Sequence, residues 1–266
     1  MWLTELFAKR KIVIGMVHLR ALPGTPLYDE RAGTDGILRA AEHDLNALQD
    51  GGIDGVMFCN ENDRPYVFTA GTATVAAMSA VIGALKTRIR VPFGVDILWD
   101  PEATISVACA TGASFAREVF TGSYASDMGL WSPDPGAALR HRRNIGASCV
   151  RLLFNINAEF ASPLGSRPLA DVARSVAFGS LPDALCVSGS MTGGEVDLSA
   201  LEQVKRVAGS VPVLANTGVR ADNVERYLSV ADGAIVGTAL KVDGITWNPV
   251  DVARVRALMD AARRAT

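Results

Sequence analysis

The sequence predicts an α/β protein built as a single (β/α)8 TIM barrel, with a phosphate-binding cup after strands 6–8. Three observations predict the barrel. Short runs rich in Val, Ile and Phe alternate with segments of helical periodicity along the whole chain, the pattern of successive βα units. Eight such units fit within 266 residues without a linker or low-complexity segment, which is the length of one barrel. Glycines cluster after the sixth, seventh and eighth runs, whereas a doubly wound sheet wants its Gly-rich loop after the first strand.

The predicted strands are 11–18 (KIVIGMVH), 55–61 (GVMFCNE), 91–98 (VPFGVDIL), 114–120 (SFAREVF), 148–155 (SCVRLLFN), 183–189 (DALCVSG), 211–217 (VPVLANT) and 233–238 (GAIVGT). Between them, the first helix places Ile37, Leu38, Ala41, Leu45 and Leu48 on one face after a cap at Thr34. Ser199 with Glu202, and Asp222 with Glu225, have capping-box spacing. Asn248-Pro249 reads as a cap followed by proline at the first helical position.

Residues 65–85, PYVFTAGTATVAAMSAVIGAL, carry no charge over a length that could span a bilayer. The segment opens on proline, contains several hydroxyl residues and two glycines, and is only weakly apolar. It therefore reads as a helix packed on the barrel, a candidate homo-oligomer contact, and not as a transmembrane segment.

Composition narrows the function classes. The chain is 49% hydrophobic and 20% charged with net charge -2, an ordinary soluble balance without the basic footprint that nucleic acid demands. The RHRRN cluster at 140–144 reads as a solvated helix face. Cys59, Cys109, Cys149 and Cys186 lack zinc or redox spacing. Three of them, Cys59, Cys149 and Cys186, fall in predicted strands and read as buried thiols. The N-terminus lacks the pattern of a signal peptide, so a cytoplasmic location is expected.

Phosphate in such barrels binds at the loops after strands 7 and 8, where glycine lets an anion approach free backbone N–H groups. Thr217, Gly218 and Val219 occupy one loop, and Gly237 and Thr238 the other. Ser188, Gly189, Thr192, Gly193 and Gly194 follow strand 6 beside them. Each loop alone could be a simple turn; three on one rim make a cup for a phosphorylated small molecule.

The remaining strand ends contribute His18, Glu61, Asp96, Asp100, Arg117, Asn155 and Glu159 as catalytic candidates. Strand alternation lets only one of Arg117 and Glu118 point inward. His18 is the best acid–base histidine, because His43 and His141 fall in helices. Glu61 and Asp96 could act as an acid–base pair, hold Mg2+ through the substrate phosphate, or form a buried ion network with Arg117 or Arg151. No spacing suits a transition metal. Only five of the 26 basic residues are lysines. Lys9 and Lys11 lie at the start of strand 1, Lys86 and Lys205 on helices, and Lys241 beside the cup as a phosphate neutraliser, an arrangement that disfavours Schiff-base chemistry.

The segments IGMVHLRALPGTP (14–26), NENDRPYVF (60–68), TGSYASDMG (121–129), VSGSMTGGEVD (187–197), NTGVRADNVERYL (216–228) and DGAIVGTALKVDG (232–244), in this order, resemble the BtpA family of (β/α)8 barrels over nearly the whole chain. The last two also resemble the phosphate-binding barrels of tryptophan and histidine biosynthesis. The family takes its name from a cyanobacterial member linked to photosystem I biogenesis, and other members occur among bacterial sugar-utilisation genes. The family's Asp-Val-x-Val-Lys-His run after strand 5 is NINAEF (155–160) here, and its Arg-Val-Asn on strand 4 is REV (117–119). With the cup retained, these departures imply altered chemistry or lost chemistry in a divergent member.

The leading expectation is an enzyme acting on a sugar phosphate or ribosyl phosphate by acid–base chemistry, as an isomerase, lyase or glycosyl transferase. The competing expectation is a non-catalytic ligand-binding or membrane-complex assembly protein that keeps the cup.

Overall fold

The computed structural model describes residues 2–265. Its strands are β1 (Ile12–His18), β2 (Gly55–Cys59), β3 (Phe93–Asp96), β4 (Phe115–Glu118), β5 (Tyr124–Ser126), β6 (Gly129–Trp131), β7 (Arg151–Asn155), β8 (Ala161–Pro163), β9 (Ala184–Val187), β10 (Val213–Ala215) and β11 (Gly233–Val236). Eight of them close a parallel barrel in the order β1-β11-β10-β9-β7-β4-β3-β2. Each predicted strand has its counterpart, shorter by one to four residues because pairing stops where the chain turns into a loop.

The helices are α1 (Trp2–Phe7), α2 (Gly33–Asp50), α3 (Thr72–Leu85), α4 (Pro101–Thr111), α5 (Pro135–Asn144), α6 (Leu169–Gly179), α7 (Leu198–Val207), α8 (Val224–Val230) and α9 (Val252–Arg264). Side chains alternate along each barrel strand. Val13, Val17, Val56, Phe58, Val95 and Ala116 face outward into the layer between sheet and helices, where Leu45 and Leu48 of α2 meet them. Ile12, Ile14, Met16, Met57, Phe115, Leu153 and Leu214 face inward and fill the barrel.

Two features lie outside the sequence expectations. Helix α1 closes the N-terminal end of the barrel. Leu3 and Phe7 join the inner cluster, Phe7 packs 6.1 Å from the Phe115 ring, and Trp2 Nε1 donates to the Asp183 carbonyl at 2.7 Å. At the opposite end, β6-β5-β8 form an antiparallel sheet from the loops after β4 and β7. Its strands are three residues each, too short to announce themselves by periodicity.

Helix starts correct the expected caps. Asp197 caps α7 by accepting from Ser199 N, two residues upstream of the expected box. Asp251 caps α9 by accepting from Ala253 N, while Asn248 remains in the preceding loop. Asn223 precedes α8 without a side-chain cap, and Asp222 pairs with Arg220 instead. Thr34 lies inside the first turn of α2. In two cases an aspartate nearby intercepts the free N–H groups that the predicted residue would have taken.

The uncharged segment 65–85 becomes a loop followed by α3, 14 residues long. Among the described residues no helix is long and apolar enough to cross a membrane. Cys59 and Cys186 are buried as expected, but Cys149 is exposed because β7 begins only at Arg151.

Candidate active site

The alternation that fills the barrel also builds its mouth. Continuing the inward parity by two residues beyond Met16, Cys59, Phe115, Leu153, Cys186, Leu214 and Ile235 reaches His18, Glu61, Arg117, Asn155, Ser188, Asn216 and Gly237. Asp96 ends β3 at the same level, and the apolar core therefore gives way to a polar layer at the C-terminal end, where barrel enzymes place their chemistry.

Arg117 organises that layer. Its Nη1 donates to Asp96 Oδ2 at 2.6 Å, its Nη2 to Glu159 Oε1 at 2.9 Å, and its Nε to Asn155 Oδ1 at 3.3 Å. Asp96 is fully buried beneath it. Asn216 Nδ2 donates to Glu159 Oε1 at 3.1 Å and to Ser188 Oγ at 2.7 Å. Glu61 receives the Thr192 hydroxyl at 3.0 Å and the Tyr66 hydroxyl at 3.4 Å. Of the expected ion network only the Asp96–Arg117 pair forms; Glu61 is held by hydroxyl groups, and Arg151, at the opposite end of its strand from Asn155, pairs with Asp183 instead.

Glu118 departs from the alternation argument. Strand β4 ends at this residue, and its carboxyl turns back to accept from Trp99 N at 2.8 Å and Val119 N at 2.6 Å. Arg117 and Glu118 consequently both reach the interior cluster: Glu118 is the last paired residue of β4, opposite Phe154, and its carboxyl curls over the strand end to the two amides.

Burial governs the protonation states. It raises the Glu61 carboxyl to about 7, helped by the negative charge of Glu159. Burial also lifts Glu159, lifts Asp96 against the pull of Arg117, and pushes Glu118 well up, with Asp96 adding to the effect. His18 goes the opposite way, held well below the usual histidine range by burial and then by the positive charges of Lys241 and Arg117. Near neutrality His18 is a neutral imidazole, and Glu61 is divided between acid and base forms. Burial raises both interior thiols, Cys186 to about 12, which leaves them unreactive.

A cavity of about 540 Å3 opens above this layer. It is bordered by His18, Glu61, Arg117 and Glu159 together with Thr192, Gly193, Thr217, Gly218, Val219, Gly237 and Thr238. Among the described residues the amides of Gly218 and Val219 find no backbone acceptor. Thr238 and Ala239 open a 3-10 turn, so their amides have no intrahelical acceptor. These four residues all line the cavity.

Several predicted residues lie elsewhere. Lys241 does not border the cavity: its Nζ donates to Asp44 Oδ2 of α2 at 2.5 Å, because this buried carboxylate, which also accepts from Val250 N, claims the ammonium. Asp100 caps α4, accepting from Ala103 N at 2.9 Å and Ala70 N at 2.8 Å. Ser188, Gly189 and Gly194 support the loops from behind. A Cβ on Gly189 would come 2.5 Å from the Gly194 carbonyl oxygen, so these glycines serve loop-on-loop packing. Gly218 serves both ends, bordering the cavity at φ +66 with its Cα against Glu195.

Asn216, Arg220 and Arg254 also border the cavity and were not among the sequence candidates. Asn216 was discoverable, since it shares the inward parity of Leu214. Arg220 is tethered to Glu195 at 2.7 Å and Asp222 at 3.2 Å. Arg254 comes from α9, and no local pattern marks it. Among the described residues no group of three or more His, Cys, Asp or Glu side chains is placed to hold a metal ion.

Solved structures share this architecture. N-(5'-phosphoribosyl)anthranilate isomerase from Pyrococcus furiosus superposes with a TM-score of 0.54 at 14% identity, covering 96% of this chain and 99% of that one. A native KDPGal structure superposes with a TM-score of 0.59 at 16% identity, covering 98% of each. At such identities the likeness establishes the fold. In sequence, the chain is 49% identical over 259 residues to the sgc region protein SgcQ of Escherichia coli K12, covering 97% of both. It is 31% identical over 262 residues to the photosystem I biogenesis protein BtpA of Synechocystis, covering 97% of this chain and 90% of that protein. The BtpA family matches residues 9–264, and the chain belongs to that family.

Proposed function

We propose that this protein is an enzyme acting on a small phosphorylated metabolite, a sugar phosphate or ribosyl phosphate, by acid–base chemistry. One observation carries the reading: a carboxyl poised at about 7 and four backbone amides without a backbone acceptor among the described residues border the same cavity. A group titrating near neutrality is suited to take a proton and return it within one turnover. Convergent amides with glycine between them suit a phosphate.

In this reading the amides of Gly218, Val219, Thr238 and Ala239 anchor the phosphate, and that binding energy holds the reacting carbon over Glu61. Arg117 faces the developing negative charge, kept rigid by Asp96 and Glu159. Neutral His18 can donate or accept one hydrogen bond to a substrate oxygen. Such a proton transfer is shared by isomerisation and by lysis of a C–C or C–O bond. The replacement of the family's Lys and His by Glu159 and Phe160 then means altered chemistry: Glu159 is built into the Arg117 network.

The test is thermal denaturation against sugar phosphates and inorganic phosphate, each sugar phosphate beside its unphosphorylated counterpart. A ligand at a hundred times its Kd stabilises the fold by about 2.7 kcal/mol. Phosphorylated ligands should raise Tm in the wild type and in Glu61→Gln, and Thr238→Asp should lose the response through charge repulsion. Equal stabilisation by unphosphorylated sugars refutes the cup. Physiological function surviving intact in Glu61→Gln transfers the protein to the non-catalytic class.

A further inference from the structure

Next to the main cavity, and sharing part of its wall, lies a side chamber of about 40 Å3. Glu61, Arg117, Glu159 and Thr192 border both spaces, so the chamber opens where Glu61 would meet a substrate. The aromatic residues Tyr66, Trp99 and Phe160, together with Glu118, border the chamber and not the main cavity.

Two of those rings are presented by unusual backbone. Trp99 has φ 71 and Phe160 has φ 52, a left-handed region that bulky residues rarely occupy. Each is pinned by its own amide: Trp99 N donates to Glu118 Oε2 at 2.8 Å and Phe160 N to the Ser190 carbonyl at 3.0 Å. The Trp99 ring is braced by Trp131 at 4.9 Å and Phe68 at 6.0 Å, beneath the small β6-β5-β8 sheet. Strained residues persist where their surroundings over-determine them, and they concentrate where ligands are handled. Here two converge on one small space.

Size and charge say what the chamber can take. It has room for roughly three water-sized spheres, hence two or three heavy atoms. Three carboxyl groups face it against one guanidinium, and that guanidinium is already paired with Asp96 and Glu159. An entering carboxylate would be desolvated without a free cation to meet it. A hydroxyl can donate to Glu61 or Glu159 and accept from Arg117.

We propose that this chamber is a substrate subsite for an uncharged hydroxymethyl end. Its ligand is then a sugar or polyol phosphate whose end remote from the phosphate is a free primary alcohol, and neither an acid nor a substituted end fits. The phosphorylated character of that ligand rests on the function proposed above; the subsite itself does not.

The experiment is calorimetric titration of the wild type and Phe160→Gly with ribitol 5-phosphate, ribonate 5-phosphate and the 1-O-benzyl ether of ribitol 5-phosphate. The unphosphorylated forms of all three and inorganic phosphate complete the set. In the wild type, ribitol 5-phosphate should bind about tenfold or more tighter than the acid and the ether. Phe160→Gly, which relieves the positive φ and opens the wall, should recover most of the loss for the ether and leave the acid excluded. The subsite is overturned if the acid or the ether binds the wild type as well as ribitol 5-phosphate does. If phosphate adds nothing to affinity, but ribitol still outbinds ribonate and its ether, the phosphate reading falls while the subsite stands. Absence of binding by every compound overturns both.

Discussion

The Thr192 hydroxyl lies 3.0 Å from Glu61 Oε1, joining the loop after β9 to the loop after β2 across the barrel mouth. The same oxygen lies 3.4 Å from Glu159 Oε2. A hydroxyl has one proton to donate, so it bridges two carboxyl groups fully only when one of them is protonated. The Glu61 carboxyl, raised to about 7, keeps that proton available near neutrality.

Because the Thr192 bond favours the ionised form of Glu61, Thr192→Val should move the Glu61 titration upward by about one unit, the size of a hydrogen bond to a charged group. Carbon-13 NMR of the Glu61 carboxyl would follow it. A midpoint that stays put or falls would show that the hydroxyl does not serve Glu61.

Glu61 also links stability to pH. Its folded pKa is raised from 4.5 to about 7, so between these values the folded state binds more protons than the unfolded chain. The stability it contributes is fully present below pH 4.5 and is lost as pH rises through about 7, on the order of 3 kcal/mol in all. Urea denaturation of Glu61→Gln should show a flatter pH dependence across this window, and under the proposed acid–base function the variant should lose about a hundredfold or more in turnover. A parallel pH dependence in the variant would remove Glu61 as the titrating group.

Lys241→Met tests the placement of Lys241 outside the cavity. It strands Asp44, which also accepts from Val250 N at 2.8 Å, and should destabilise the fold by about 3–5 kcal/mol. Adding Asp44→Asn should return part of that loss. Ligand-induced stabilisation should persist in both variants, since Lys241 does not border the cavity. Its selective loss would restore Lys241 to the binding site.

Gly218→Ala should cost about 2 kcal/mol or more. Its φ is +66, and a Cβ there would stand 2.4 Å from Glu195 Cα. The added methyl pushes against backbone, so the loop carrying Thr192 should shift as well. Wild-type stability and unchanged Thr192 chemical shifts would contradict this packing.

Much of the site was legible because one periodicity generates both core and mouth. His18, Glu61, Asp96, Arg117 and Asn155 occupy the polar layer at the strand ends as expected, and Thr192 with the Gly193, Gly218 and Gly237 positions borders the cavity. Lys241 and Asp100 were misplaced for a common reason. Each is a few residues beyond its strand, where parity no longer dictates direction and a buried partner or a helix start decides. Gly189 and Gly194 pack loop against loop away from the cavity, and sequence does not separate this use of glycine from close approach of an anion.

The sequence by itself determined the barrel, the order of its strands and which end carries polar side chains. Those follow from alternation and spacing, which are local properties of the chain. Only the tertiary structure decided that Glu159, 42 residues from Arg117, pairs with it, and that Thr192 reaches Glu61 from 131 residues away. It alone placed Trp99 and Phe160 around one chamber and shifted the Glu61 carboxyl to about 7. Such features depend on burial and on distances between loops from different strands. No local pattern encodes them, because desolvation and charge coupling arise only once the barrel has closed.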